Sequence, residues 1–167
     1  MPIFYLMCGI PASGKSTAAQ KIAATENAVI LSPDDIRREL FKDNKYNLRQ
    51  NKQVFRLFRL RLTEAFKSGE NIVIDAINRR GYERKKYAER AKKKGYHTIC
   101  VYCKKDRHYA LYANNMRDEA KRVPDGVINT NCYFFTTPDK NEGWDEIRVN
   151  DGNKYSVEIE RQIVKYK

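Results

Sequence analysis

Gly9-Ile10-Pro11-Ala12-Ser13-Gly14-Lys15-Ser16 decides the fold. It fits the pattern G-x-x-x-x-G-K-[ST] without a gap. Ile3–Cys8 (IFYLMC) precedes it, a short continuous apolar run that reads as a buried parallel strand. Ala18–Thr25 follows as a run of good helix formers. In a strand–loop–helix context the glycines let the backbone fold tightly round phosphate oxygens, with successive N–H groups turned inward. The N-terminus of the helix adds partial positive charge. Lys15 is placed to reach the β- and γ-phosphates, and the Ser16 hydroxyl to reach Mg²⁺. Thr17 lies next to the α-phosphate. Gly9, Pro11, Ala12, Ser13 and Gly14 form the cradle. Nucleoside-triphosphate binding follows, with ATP and Mg²⁺ as the expected cofactors.

Outward from this loop, strand and helix patterns alternate. Ala28–Leu31 reads as a second strand. Ser32-Pro33 caps a helix from about Asp34 to Phe41, and a polar turn follows at 42–47. Leu48–Lys67 is a long amphipathic helix, with Val54, Phe58, Leu62 and Ala65 on one face. Ile72–Asp75 is a third strand ending in a carboxylate. Arg80–Lys94 is a basic helix closed by Gly95, and Thr98–Cys103 a fourth strand. Asp106–Lys121 reads as one further, very polar helix, and Asn129–Asn141 as irregular. Asp151-Gly152-Asn153 between two alternating runs predicts a C-terminal hairpin over 146–160. The pattern predicts an α/β, three-layer fold with a parallel sheet, as one domain over 1–167. A helical lid is expected at about 106–123, because a polar helix that cannot be well buried is free to close over a site.

The chain has 167 residues, 33 Lys+Arg against 21 Asp+Glu, and a net charge of +12. That excess favours a polyanionic partner, nucleic acid first. No run approaches the ~18 apolar residues of a membrane span, so no membrane partner is expected. The apolar N-terminus runs straight into the glycine loop, without a basic segment ahead of it, and reads as a strand rather than a signal peptide. Four cysteines without framework spacing suit reduced thiols in the cytoplasm. Cys100 and Cys103, three apart on a strand, point to opposite faces, which argues against zinc.

Several charged residues are placed for phosphoryl transfer. There is no Asn-Lys-x-Asp guanine motif and no Asp-x-x-Gly switch after the third strand, where Asp75-Ala76-Ile77-Asn78 stands. A phosphotransferase fits such a chain best. Asp34-Asp35 follows the second strand, whose C-terminus should converge on the phosphate site. Asp35 is then a candidate general base, helix capping being the alternative. Arg38 shares its helix face and can hold an acceptor phosphate. Asp75 suits a water-mediated Mg²⁺ carboxylate, an acceptor anchor, or a cap of the next turn. A lid arginine would neutralise charge on the transferring group. Arg49, Lys52, Arg56 and Arg59 form a basic stripe on the long helix, read equally as a phosphate track or a solvated face.

Taken together, the phosphate loop, Asp34-Asp35-Ile36-Arg37-Arg38, Ile72–Asn78 (IVIDAIN), Asn114-Asn115-Met116-Arg117 and Arg122-Val123-Pro124 resemble the P-loop family of polynucleotide 5′-hydroxyl kinases and their small relatives. The late Phe135…Pro138…Glu142-Gly143-Trp144-Asp145 is similar to the same family, so the resemblance runs over roughly residues 3–149. Ile77 stands where that family has threonine. The resemblance implies transfer of the ATP γ-phosphoryl group to the 5′-OH end of RNA or DNA, in a setting such as RNA repair. Lys15, Asp35, Arg38 and Arg117 would be catalytic. Asp35, Arg38, Asp75 and Asn78 would bind the acceptor, Asp35 taking the hydroxyl proton. Arg117 would act from the lid; Arg122 is a second candidate, since the spacing to Val123-Pro124 is one residue longer than in the phage-type enzyme. A kinase of a smaller acceptor (an aminoacyl-tRNA, nucleoside or sugar nucleotide) is the nearest alternative, and a non-catalytic nucleotide-binding module the next.

Overall fold

The computed structural model describes residues 1–42 and 47–151. The predicted turn at 42–47 falls mostly outside them, and so does the second arm of the predicted hairpin. The elements run β1 (Ile3–Cys8), α1 (Lys15–Glu26), β2 (Ala28–Leu31), α2 (Pro33–Phe41), α3 (Leu48–Ser68), β3 (Asn71–Ile74), α4 (Gly81–Lys93), β4 (His97–Cys103), α5 (Arg107–Asn115), α6 (Asp125–Phe134) and β5 (Glu146–Asn150). One-turn 3₁₀ helices lie at Glu119–Lys121 and Lys140–Glu142.

Five strands pair in the order β2-β3-β1-β4-β5, all parallel. β5 is the first arm of the predicted hairpin, and it extends the parallel sheet beside β4. Strand alternation sends successive side chains to opposite faces. Phe4, Leu6, Cys8, Ile72, Ile74 and Cys100 pack against Ile36 of α2, the Val54–Phe58–Leu62 stripe of α3, and Ala88 and Ala91 of α4. Tyr5, Met7, Val73, Ile99, Val101 and Cys103 face Ala18, Ala19 and Ile22 of α1. The result is the three-layer α/β architecture expected. Cys100 and Cys103 do point to opposite faces, and burial pushes the Cys103 thiol up to about 12. Among the described residues no helix is long and apolar enough to cross a membrane.

The region 106–141 departs from expectation. The single helix predicted over 106–121 stops at Asn115, and half of the stretch expected to be irregular is α6. Two local signals explain the break. The buried Asn114 side chain donates to the Val123 carbonyl (2.8 Å) and accepts from its N–H (3.1 Å), which folds residues 115–122 into a closed loop. Pro124, extended at φ −57°, ψ 143°, then starts α6. Ala110 and Ile128 pack on Ile10 of the glycine loop. Arg107 Nε donates to Asn129 (2.7 Å) and ties α5 to α6. A helix pair that looks too polar to be buried is thus seated on the phosphate loop by a small apolar cluster.

Candidate functional site

The glycine loop joins β1 to α1 at the carboxyl edge of the sheet. Gly9 is required by close approach: at φ +150°, a Cβ there would lie 2.6 Å from the Cys103 carbonyl. Ala12 (φ 61°) and Gly14 (φ 86°) take left-handed conformations, which turn successive amides to one side. Gly14 is the N-cap of α1, so the helix begins at Lys15. The loop is held from below. Gly9 N–H donates to Ile77 O (3.1 Å), and the Asn78 amide donates to Met7 O (2.7 Å). Asn78 itself is left-handed (φ 47°). Its side-chain N–H groups therefore serve the backbone beneath the loop.

Lys15 is only 8% exposed. Its ammonium donates to Ile10 O (2.7 Å) and lies 3.4 Å from Ser13 Oγ, so it meets neutral oxygens rather than a carboxylate. Burial pushes its pKa down, opposed in part by the charge of Asp75. Asp75 follows β3 and shares a hydrogen bond with Ser16. Burial pushes the Asp75 carboxyl up; Ser16 and Lys15 oppose that, while the charges of Asp35 and Asp34 add to it. The predicted residues of three separate segments thus feel one another's fields.

Ser32 supplies the N-cap of α2, its hydroxyl accepting from the Asp35 N–H (3.3 Å). This leaves both aspartates of the first turn free of the capping role. Asp34 pairs with the buried Arg37 (2.8 Å), which also reaches Asn51 of α3 (2.6 Å) and ties the two helices. Asp35 contacts Arg38 directly, and both remain exposed. Sequence reading missed Arg37: nothing in the Arg37-Arg38 pair distinguishes the buried arginine from the exposed one.

Arg117 is half-buried. Burial lowers its pKa, and Asp34 and Asp75 raise it. Its charge also acts on Lys15. Arg122 is exposed, and its Nε donates to the Arg117 carbonyl (2.8 Å). Of the two candidate arginines, Arg117 is the half-buried one whose charge is felt at Lys15, and Arg122 braces the backbone that carries it. Thr17 and Ser16 are exposed at the start of α1. Arg49, Lys52, Arg56 and Arg59 are exposed on α3, opposite the face that carries Val54 and Phe58.

Among the described residues no three His, Cys, Asp or Glu form a metal cage. The hydrogen-bonded Ser16 hydroxyl and Asp75 carboxylate are both hard oxygen donors. That set fits a Mg²⁺ ion that keeps waters and takes its other ligands from phosphates.

A second buried cluster underlies the site. Arg84 of α4 is fully buried and bidentate on Glu142 (2.8 and 2.5 Å). Arg84 Nη1 donates to Asn78 O (2.9 Å), and Trp144 Nε1 donates to Glu142 (3.0 Å). Sequence reading placed Trp144 and Glu142 in a familial segment but did not foresee this pair.

Comparison with known proteins agrees with this architecture. The family model AAA_33, described as an AAA domain, matches residues 4–138. No curated protein matches. Among solved structures, the chain is similar to one in the Pnkp1/Rnl/Hen1 RNA repair complex (TM-score 0.70, 21% identity, 79% of this chain and 43% of that one). Kti12 of Chaetomium thermophilum in complex with ADP-AlF3 gives a TM-score of 0.70 at 12% identity, over 91% of each chain. A gluconokinase from Sinorhizobium meliloti 1021 gives 0.61 at 15% identity, over 90% of this chain and 83% of that one. The chain spans less than half the length of the RNA repair chain it matches. The fold is that of P-loop kinases, and nucleotide binding follows from it.

Proposed function

We propose, from the premise that the chain belongs to the AAA domain family and has a P-loop kinase fold, that it is an ATP-dependent 5′-hydroxyl kinase acting on nucleic-acid ends. One observation carries the reading. The charges of Asp35 and Lys15 and the Ser16 hydroxyl are felt at Asp75, the charge of Asp75 is felt at the half-buried Arg117, and Asp35 in turn contacts Arg38. In this reading Asp35 is the base, Arg38 the anion grip and Arg117 a further cation beside Lys15, and a module that only binds nucleotide needs no base.

The chemistry is in-line transfer. The acceptor oxygen attacks the γ-phosphorus, its proton passes to Asp35, and the bond from phosphorus to the β,γ-bridging oxygen breaks with ADP leaving. Lys15 leaves Ile10 O for the phosphate oxygens, and Arg117 spreads over the charge that develops on the transferring group. Arg38 holds the phosphate 3′ of the acceptor nucleotide, with Asp75 supporting it. Bound Mg²⁺, reached by the Ser16 hydroxyl and by Asp75 through water, would supply further charge neutralisation. Residues 106–123, seated on Ile10, act as the lid that excludes water. The net charge of +12 favours a polymeric acceptor over a small one.

The test is transfer of label from γ-labelled ATP to 5′-hydroxyl RNA and DNA oligomers, a 3′-mononucleotide, a nucleoside and gluconate, with Asp35→Ala in parallel. Label on oligomers, reduced at least about 100-fold by the substitution, is expected. Label on gluconate or a nucleoside alone would move the assignment to a small-acceptor kinase. ATP binding without label on any acceptor would sink the nucleic-acid reading.

A further inference from the structure

Four residues past Asp75 the surface changes character. Tyr82 is 54% exposed, Phe134 46% and Tyr133 83%. Large rings left this open are held among cations. The Arg79 guanidinium lies 5.5 Å from the Phe134 centroid, and Arg80 lies 5.9 Å from both Phe134 and Tyr82. Lys86 stands 5.6 Å from the Tyr82 centroid. Tyr133 meets Phe134 edge-on at 4.9 Å. An open groove of about 510 Å³ runs between Arg80, Tyr82, Lys85 and Phe134.

The backbone beneath is fixed. Thr136 N–H donates to Arg79 O (2.9 Å), and Gly81 N–H donates to Thr136 Oγ1 (3.0 Å). The patch is therefore a set surface, braced where α4 begins and α6 ends. Its charge is positive: Arg79, Arg80, Lys85 and Lys86 stand against Glu83 and Asp139, and Glu142 is consumed by Arg84. Rings with an open face, interleaved with guanidinium planes, match an unpaired nucleobase stacked beside its phosphate. A protein-docking surface would share the rings and arginines but has less use for Lys85 and Lys86, because lysine is depleted at protein interfaces. Location agrees. Arg79 follows Asp75 by four residues, a chain span of at most roughly 14 Å, and it lies at the same carboxyl edge of the sheet.

We infer that Arg79, Arg80, Tyr82, Tyr133 and Phe134 form a stacking platform for single-stranded nucleic acid. It takes the nucleotides that follow the acceptor end. Only the position of that end rests on the kinase reading above; the binding itself does not.

Fluorescence anisotropy tests it with 5′-hydroxyl oligomers of about 12 nucleotides: RNA, DNA, and an abasic strand of equal charge, each labelled at the 3′ end. The 167-residue chain and its Tyr82→Ala, Phe134→Ala and Phe134→Tyr variants are compared, with ATP affinity as the check on folding. Tyr82→Ala and Phe134→Ala should each weaken RNA or DNA binding about 5- to 150-fold. Phe134→Tyr should stay near wild type, ATP affinity should hold, and the abasic strand should be indifferent. Alanine variants that bind RNA and DNA like wild type overturn the platform, as does an equal loss on the abasic strand. Transfer to the 3′-mononucleotide reports separately on the kinase reading. Transfer without ring-dependent strand binding leaves that reading and sinks the platform. Ring-dependent binding without transfer to any acceptor does the reverse.

Discussion

Lys15 and Arg84 are both buried cations in the same half of the molecule, and their surroundings are opposite. Arg84 is fully enclosed and meets a carboxylate in bidentate geometry. Burial pulls its pKa down, but the Glu142 hydrogen bonds and charge more than compensate, so it ends above its ordinary value. Lys15 meets only a carbonyl and a hydroxyl, and burial leaves it below its ordinary value. A buried charge without a counter-ion is costly, and one with a well-formed partner is tolerable. The Arg84 charge is satisfied inside the fold. The Lys15 charge is incompletely answered, and in the proposed function the polyphosphate of the nucleotide would complete it. In the proposed function one cation serves structure and the other serves binding; the glycine-loop motif marks Lys15 in the sequence, whereas nothing there sets Arg84 apart from the other cations of its basic helix.

Arg84→Met should separate the two roles most sharply. It strands the Glu142 carboxylate in the interior and should cost about 3–5 kcal/mol. At this chain length that is a fall in Tm of roughly 6–20 °C. Calorimetry would read it, and Arg84→Met combined with Glu142→Leu should recover most of the loss. A single variant with unchanged Tm would break the contrast.

Lys15→Met should leave apo stability equal to wild type or higher, because it removes an ill-paired charge. It should lower kcat/KM by about 10²–10³ and abolish stabilisation by ATP. The linkage has a definite sign. Because the pKa of Lys15 is lowered in the fold, the unfolded chain binds that proton more tightly. This group's contribution to stability therefore rises with pH up to its ordinary 10.5, and the gap to Lys15→Met should narrow over that range. A gap that widens would show Lys15 to be well paired.

Asn114→Ala should be intermediate. It leaves the Val123 N–H and carbonyl without their partner, a loss of about 1–3 kcal/mol. Because that pair closes the loop carrying Arg117, faster hydrogen exchange over residues 115–123 should accompany the loss. Equal protection in both proteins would remove Asn114 from this role.

Arg117 and Arg122 give the smallest contrast. Arg117→Ala should cut kcat about 10²-fold or more. Arg122→Ala, which removes an exposed brace, should stay within about threefold, near 0.5 kcal/mol. The reverse ranking would make Arg122 the arginine that reaches the phosphate.

The glycine loop, the strands of the sheet and the long α3 were legible because each rests on local physics. Glycine spacing permits the turn, unbroken apolar runs demand burial, and Val54, Phe58 and Leu62 share one helical face. The candidate site was legible where residues follow a strand end: Asp75 directly after β3, and Asp35 in the first turn of the helix that follows β2. Residues 106–141 were not. Ala110 and Ile128 are too few to give a period, and they find burial only because Ile10 of a distant loop lies against them. The break after Asn115 depends on the Asn114 side chain reaching nine residues along the chain, together with Pro124 beyond it.

What sequence alone determined, then, is the class of fold and the anion cradle, since both follow from patterns within about a dozen consecutive residues. Only tertiary structure decided which charges are answered. It buried Arg37 and left Arg38 on Asp35, turned Arg117 inward and Arg122 outward, and set Glu142 against Arg84 across 58 positions. The reason is physical. Local propensity reads the backbone, whereas the cost of a charge depends on what lies within a few ångströms of it, and those neighbours come from elsewhere in the chain.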